Sequence, residues 1–303
     1  MYQPVIIIGA ARSGTNMLRD VLTRLPRVGT WPCDEINYIW RHGNTRFATD
    51  EFAPAQATPR VRAYIRRQFD RMARTEPLDW IVEKTCANSL RVAFVDRVVP
   101  EAKFVFLARD GRDVVASAIG RWRAAFDLPY IAKKARYVPP TDLPHYAVRY
   151  LWNRLHRMLS NEKRLASWGP RFDGMQQILK QHSLAEVCAA QWVRSVETSR
   201  QQLQQIDAGR VHSLTYEQFV SQPVDETQRL LDFLGIEADA GTIQSCVSNV
   251  SARSVGNWHR SLDPSTLDRI TGLMQSTLER FGYLPASDDT KQARPDDERR
   301  VAA

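Results

Sequence analysis

Short unbroken apolar runs alternate along this chain with longer stretches in which apolar residues return every three or four positions. The first run, Val5-Ile6-Ile7-Ile8, is apolar at four successive positions, as expected of a strand covered on both faces. Gly9 ends it, and Met17, Leu18, Val21, Leu22 and Leu25 then follow helical spacing, so the chain opens as strand, turn, helix. Residues 26–35 read as a turn-rich link and residues 41–59 as loop. From Arg60 to Arg74 the spacing predicts a helix with Val61, Ile65, Phe69 and Met72 on its inner side and a solvated arginine face. Trp80-Ile81-Val82-Glu83-Lys84 and Lys103-Phe104-Val105-Phe106-Leu107-Ala108 read as the second and third strands. Between them a helix carrying Leu90, Phe94 and Val98 stops at Pro100, and another opens after Arg109. Strands and helices alternating at this interval predict right-handed βαβ units on a parallel sheet.

The pattern changes from Arg121 to Arg164, where ten Lys/Arg stand against three acidic residues, interleaved with Trp122, Phe126, Tyr130, Tyr137, Tyr146, Tyr150 and Trp152. Pro139, Pro140 and Pro144 are expected to break this segment into two helical parts. Leu184, Val187, Cys188, Trp192, Val196 and Leu203 then form a core-facing helical stripe. Arg210-Val211-His212-Ser213-Leu214 reads as a fourth strand, and a helix through Leu230, Leu231, Phe233 and Leu234 ends at a Gly235 cap. After a Ser/Arg loop at 251–258, a last helix carries Leu267, Ile270, Leu273, Met274 and Leu278. The expected architecture is α/β: one domain over residues 1–285, a central parallel sheet flanked by helices, and a mainly helical insertion at about 121–183. From 286 to 303 the chain is polar and mixed in charge, which predicts a disordered tail.

Composition narrows this only a little. With 303 residues, 43% hydrophobic and 25% charged, the chain can bury a substantial core. A net charge of +8 asks for an anionic partner, without choosing among nucleotide, glycan and membrane surface. Cys33, Cys86, Cys188 and Cys246 are scattered, with no metal-ligand spacing, so no metal site and no disulfide framework is expected and a reducing cytoplasm is the expected location. No apolar run approaches the ~20 residues that cross a bilayer, and the N-terminal apolar stretch reads as a strand rather than a leader.

The turn after the first strand carries the first chemistry. Gly9-x4-Gly14 has the frame of a nucleotide P-loop, where backbone N–H groups and a helix N-terminus converge on a phosphate-like anion. Thr15 and Asn16 stand where that motif has Lys and Ser or Thr, and the loop's cation is Arg12. At the exit of the third strand Arg109 is followed eight positions later by Ser117, two turns into the next helix. A guanidinium and a hydroxyl together suit a phosphate monoester.

Arg12-Ser13-Gly14-Thr15 after a strand resembles the 5′-phosphosulfate loop of sulfotransferases that use 3′-phosphoadenosine-5′-phosphosulfate (PAPS). The Arg109/Ser117 pair is similar to that family's 3′-phosphate clamp, Lys84-Thr85 to its Lys-Thr step and Leu214-Thr215-Tyr216-Glu217 to its Leu-x-Tyr-Glu segment. Gly256-Asn257-Trp258 resembles the loop that closes over the nucleotide. These elements stand in family order from about residue 5 to 284. The resemblance implies a P-loop nucleotide-transferase-like fold, PAPS as donor, adenosine 3′,5′-bisphosphate (PAP) as product and no metal. It implies cofactor contacts from Arg12, Ser13, Gly14, Thr15, Asn16, Arg109, Ser117, Tyr216, Arg253, Ser254, Gly256, Asn257 and Trp258.

Two departures from the family pattern matter. Cys86 stands where many cytosolic members have a His after Lys-Thr, so that base is absent. Tyrosylprotein sulfotransferases use a Glu shortly after the first helix, which Glu35 approximates; His42 is the other candidate base, and Arg12 and Lys84 are the candidate catalytic cations. The closing loop is also altered: aligned on Gly256, Ser251 falls where cytosolic members have Arg, which leaves open which residue meets the 3′-phosphate. The insertion is expected to cover the acceptor site, its arginines and aromatic rings suiting a glycan, a glycolipid or a polar metabolite. Nothing points to a nucleic-acid partner; peripheral membrane contact and oligomeric state stay open. A P-loop small-molecule kinase and a non-catalytic polyanion-binding protein are the alternatives, the first weakened by the missing P-loop Lys.

Overall fold

The computed structural model describes residues 2–75, 77–123, 136–159, 165 and 167–286. The chain enters as β1 (Gln3–Ile8), turns into α1 (Thr15–Leu22), and returns to the sheet as a two-residue strand, β2 (Val28–Gly29). It then passes through α2 (Asn37–Trp40) and α3 (Pro59–Thr75). The predicted alternation follows: β3 (Trp80–Lys84), α4 (Val92–Val98), β4 (Lys103–Ala108) and α5 (Gly111–Trp122). Among the described residues α6 (Leu143–Leu159), α7 (Met175–Gln181) and α8 (Leu184–Leu203) then precede β5 (Val211–Thr215). The chain closes with α9 (Tyr216–Ser221), α10 (Pro223–Leu234), α11 (Ala240–Val247), α12 (Trp258–Ser261) and α13 (Pro264–Arg280).

The five strands form one sheet in the order β2-β3-β1-β4-β5, every pair parallel. Strand periodicity explains why β1 is apolar throughout. Ile6 and Ile8 point into one core with Phe69, Phe94, Val115 and Trp192, while Val5 and Ile7 point into the opposite one with Leu18, Leu22, Leu230 and Leu231. Because all strands run the same way, the carboxyl ends of β1, β3, β4 and β5 meet along one edge of the sheet, where open α/β folds hold their ligands. Helix α8 braces that edge from behind. Its start is a capping box between Ser183 and Glu186, and its Trp192 indole donates to the Arg109 carbonyl at 3.1 Å.

The α/β architecture agrees with the expectation; several details differ. The link at 26–35 contains β2, which pairs with β3 at the sheet edge through Val28 and Gly29 only. The helix expected around Leu90 and Phe94 is split: a 3-10 turn over Cys86–Leu90 precedes α4, and buried Asn88 and Arg91 bond each other at the break. Pro144 does not break a helix. It sits in the first turn of α6, where a missing N–H costs nothing. Helix α11 was not anticipated, and Gly235 is the left-handed cap of α10 (φ 76°) as expected. The expectations for Phe126, Tyr130 and the rest of 124–135, and for the tail from 287 on, lie outside the described residues.

Candidate active site

The turn between β1 and α1 is fixed by close approach. A Cβ on Gly9 would lie 2.7 Å from the Leu107 carbonyl oxygen, and one on Gly14 would lie 2.4 Å from the Tyr216 ring. Gly14 is left-handed (φ 92°), and so is Arg12 (φ 76°), a conformation uncommon outside glycine that throws its side chain across the sheet edge. There Arg12 Nε donates to Ser117 Oγ at 2.9 Å, joining the two sites that the sequence presents separately. Helix α1 has no side-chain cap, so its first amides stay available to a ligand.

Arg109, buried at the end of β4, donates to the Arg12 carbonyl at 3.2 Å and to the Ser254 carbonyl at 2.7 Å, and lies over the Tyr216 ring at 4.2 Å. Its Nε and the Ser13 hydroxyl are buried without a partner among the described residues. Burial, with Arg121 and Arg109 nearby, lowers the Arg12 pKa. A cluster of cations that repel each other beside orphaned donors is an environment that an anion would satisfy.

The closing loop is pinned by a residue the sequence reading passed over. Asp113, in the first turn of α5, accepts from the Gly256 N–H at 2.8 Å and the Trp258 N–H at 3.0 Å, with Arg109 3.6 Å away. The i,i+4 pairing of Arg109 with Asp113 is the signal that could have found it. Tyr216 Oη and Ser254 Oγ, 2.6 Å apart, tie the same loop to the start of α9, and the Arg112 guanidinium lies 4.4 Å over the Trp258 ring.

A second centre lies at the end of β3. The Lys84 ammonium donates to Glu35 Oε1 at 3.2 Å, and the Cys86 N–H reaches the same oxygen at 3.4 Å. Burial works against the Lys84 charge, yet the Glu35 carboxylate outweighs it and the Lys84 pKa is raised. Burial, reinforced by Glu35, pushes the Cys86 thiol up to about 12, so it stays protonated at neutral pH. Beneath this pair Glu83 is wholly buried, accepting from Thr85 Oγ1 at 2.5 Å and Asn88 Nδ2 at 3.0 Å. The Thr85 hydroxyl in turn accepts from the Ile36 N–H at 3.2 Å, which holds the residue next to Glu35.

One cleft of about 950 Å³ joins these centres. Arg12, Gly14, Thr15, Asn16, Glu35, Lys84, Arg109, Ser117, Tyr216, Ser254 and Asn257 line it. Ser13 lies buried behind the loop, Arg253 is exposed, and Gly256 and Trp258 meet Asp113 through their backbone rather than lining the cleft. His42 also lies off the lining: its Nδ1 pairs with Asp142 at 2.9 Å and its ring packs on Tyr64. The far wall includes Tyr38, Tyr146, Tyr150 and Trp168. Among the described residues no group of His, Cys, Asp and Glu could hold a metal ion.

A family model described as the sulfotransferase domain matches residues 3–255. No curated protein is significantly similar in sequence. Among solved structures the fold is similar to the sulfotransferase domain from the curacin biosynthetic pathway, at 13% identity over 91% of this chain and 98% of that one, with a TM-score of 0.52. It is also similar to sulfotransferase STF9 from Mycobacterium avium, at 13% identity over 92% of this chain and 77% of that one, TM-score 0.52. The sulfotransferase domain of the Synechococcus PCC 7002 olefin synthase matches at 14% identity over 94% and 96%, TM-score 0.50. With a family match running from the start of β1 to residue 255, most of the chain, the chain belongs to the sulfotransferase domain family.

Proposed function

We propose that the protein moves the sulfuryl group of PAPS to a hydroxyl or amine of a carbohydrate, glycolipid or small metabolite. One observation carries the reading: the glycine turn with Arg12, the Arg109/Ser117 pair and the Glu35–Lys84 pair open into one cleft. The orphaned Ser13 hydroxyl and Arg109 Nε, the clustered arginines and the uncapped α1 fit a nucleotide carrying phosphates at two positions. PAPS, when bound, supplies an activated sulfuryl group on a phosphate leaving group. The α1 turn and Arg12 would hold the 5′ end; Arg109, Ser117, Ser254 and Asn257 would hold the 3′-phosphate. Glu35 would take the acceptor's proton, while Lys84 and Arg12 hold negative charge at the transfer site, so no metal enters this reading.

In the same reading residues 1–285 act as one transferase domain. The insertion at about 121–183 forms the acceptor wall, a role supported by Tyr146, Tyr150 and Trp168 along the cleft. A cytoplasmic location is supported by four scattered, buried cysteines of the kind found in reducing compartments. No helix among the described residues is long and apolar enough to cross a membrane.

Thermal denaturation with added ligands tests the donor site, because a ligand that binds only the folded state raises the melting temperature. PAP is expected to raise it by several degrees and AMP by less, since AMP lacks the 3′-phosphate. Equal shifts from the two would overturn the Arg109/Ser117 clamp. A larger shift from ATP would favour a kinase, and a response to a heparin-like polymer alone would favour a polyanion-binding protein.

A further inference from the structure

Helix α6 has two unlike faces. Tyr146 and Tyr150, four residues apart, look into the cleft. Val148, Leu151, Trp152, Leu155 and Met158 recur at helical spacing on the opposite side, and all five are between 49% and 76% exposed. A row of five large apolar side chains is more than the scattered exposure normal on a soluble surface. It covers most of a helix that, at 17 residues, is about 25 Å long. The surrounding segment, Arg121 to Arg164, carries its ten Lys/Arg and three acidic residues.

We propose that this face of α6 seats on an anionic lipid surface, with the cleft on the protein side of the helix. Trp, Leu and Met along one side of a helix in a strongly basic segment is the make-up of helices that lie in the headgroup region of a bilayer. Anionic headgroups would neutralise the excess positive charge that the apolar row brings with it. A second copy of the chain is the poorer occupant, because a symmetric contact through α6 would bring two such basic segments together. The C-terminal residues 287–303 are poorer still: apart from Pro295, their largest apolar side chain is Val301. Docking itself does not depend on the transferase reading. Its consequence does rest on that reading: the acceptor wall would stand one helix width from the lipid surface, which favours glycolipid among the three acceptor classes.

The experiment is flotation of the full chain with vesicles of phosphatidylcholine alone, and with about one lipid in three replaced by phosphatidylglycerol. Binding is expected on the anionic vesicles, weaker without phosphatidylglycerol and weaker in high salt. The double variant Trp152→Ser/Leu155→Ser should raise the lipid concentration for half-binding by roughly tenfold or more. Its melting temperature and its PAP-induced shift should stay unchanged, a readout that separates failure of docking from failure of the transferase reading. Absence of binding to anionic vesicles, or binding the variant retains, would overturn the proposal. So would a dimer that the variant dissociates, which gives the face to a second copy, or a lower melting temperature of the variant, which gives it to the protein's own interior.

Discussion

Glu35 has two neighbours that tell its roles apart. Its Oε1 accepts from both the Lys84 ammonium and the Cys86 amide, so the carboxylate is at once a candidate base and a peg for the end of β3. Glu35→Gln keeps an oxygen for the amide and loses the charge. Turnover with saturating PAPS should therefore fall by a factor on the order of 10² or more while PAP affinity, measured by titration calorimetry, holds. Near-normal turnover would remove the base from Glu35. At this scale much of the cleft lining was legible early: Lys84 and Arg109 stand at strand ends, Arg12 in the glycine turn and Ser117 eight positions after Arg109, and all four line the cleft. His42 carried an equally suggestive side chain, but its bond to Asp142 depends on a partner 100 residues away that no local spacing reveals.

The closing loop depends on the first turn of another element. Asp113 offers both carboxylate oxygens to amides of residues 256 and 258, so α5 rather than the loop itself sets where Ser254 and Asn257 stand. In Asp113→Asn one of those oxygens becomes an NH2 group facing an N–H, and one bond is lost with repulsion added. PAP affinity is expected to drop about tenfold or more, corresponding to about 1.4 kcal/mol, and residues 251–258 should become more susceptible to proteolysis. Unchanged affinity would show that the loop does not contribute to nucleotide binding. Elements with a long, regular pattern, such as β1, β4 and α8, were readable because burial on fixed faces writes itself into spacing. The two residues of β2 and the 3-10 turn after β3 were not. Their shape comes from Leu78 packed against Gly29 and from buried Arg91, which ties Asn88 to Asn37 more than fifty residues away, both tertiary.

For the molecule as a whole, Glu83 makes stability depend on pH in an unusual direction. Burial pushes its carboxyl up from 4.5 to about 7, whereas most carboxylates in native proteins are held low. Between these values the unfolded chain has already released a proton that the folded one keeps. Folding stability therefore falls as pH rises through that window, and the full benefit is present only below the unfolded value. Glu83→Gln mimics the protonated form, so its melting temperature should vary less from pH 5.5 to 8 and exceed the wild-type value at pH 8 by a few degrees. Parallel pH profiles for the two proteins would show that Glu83 does not titrate in this range. The sheet order has a consequence for how the protein is made. The strand that emerges first from the ribosome, β1, is the one in the middle, flanked by β3 and β4. The edge that takes β3 stays open until residue 84 has been synthesised and the edge that takes β4 until residue 108, and the outer strand β5 arrives a further hundred residues on. A nascent chain of this kind carries an unpaired Ile-rich edge through the early part of its synthesis, the stage at which strand-to-strand association between chains competes with folding.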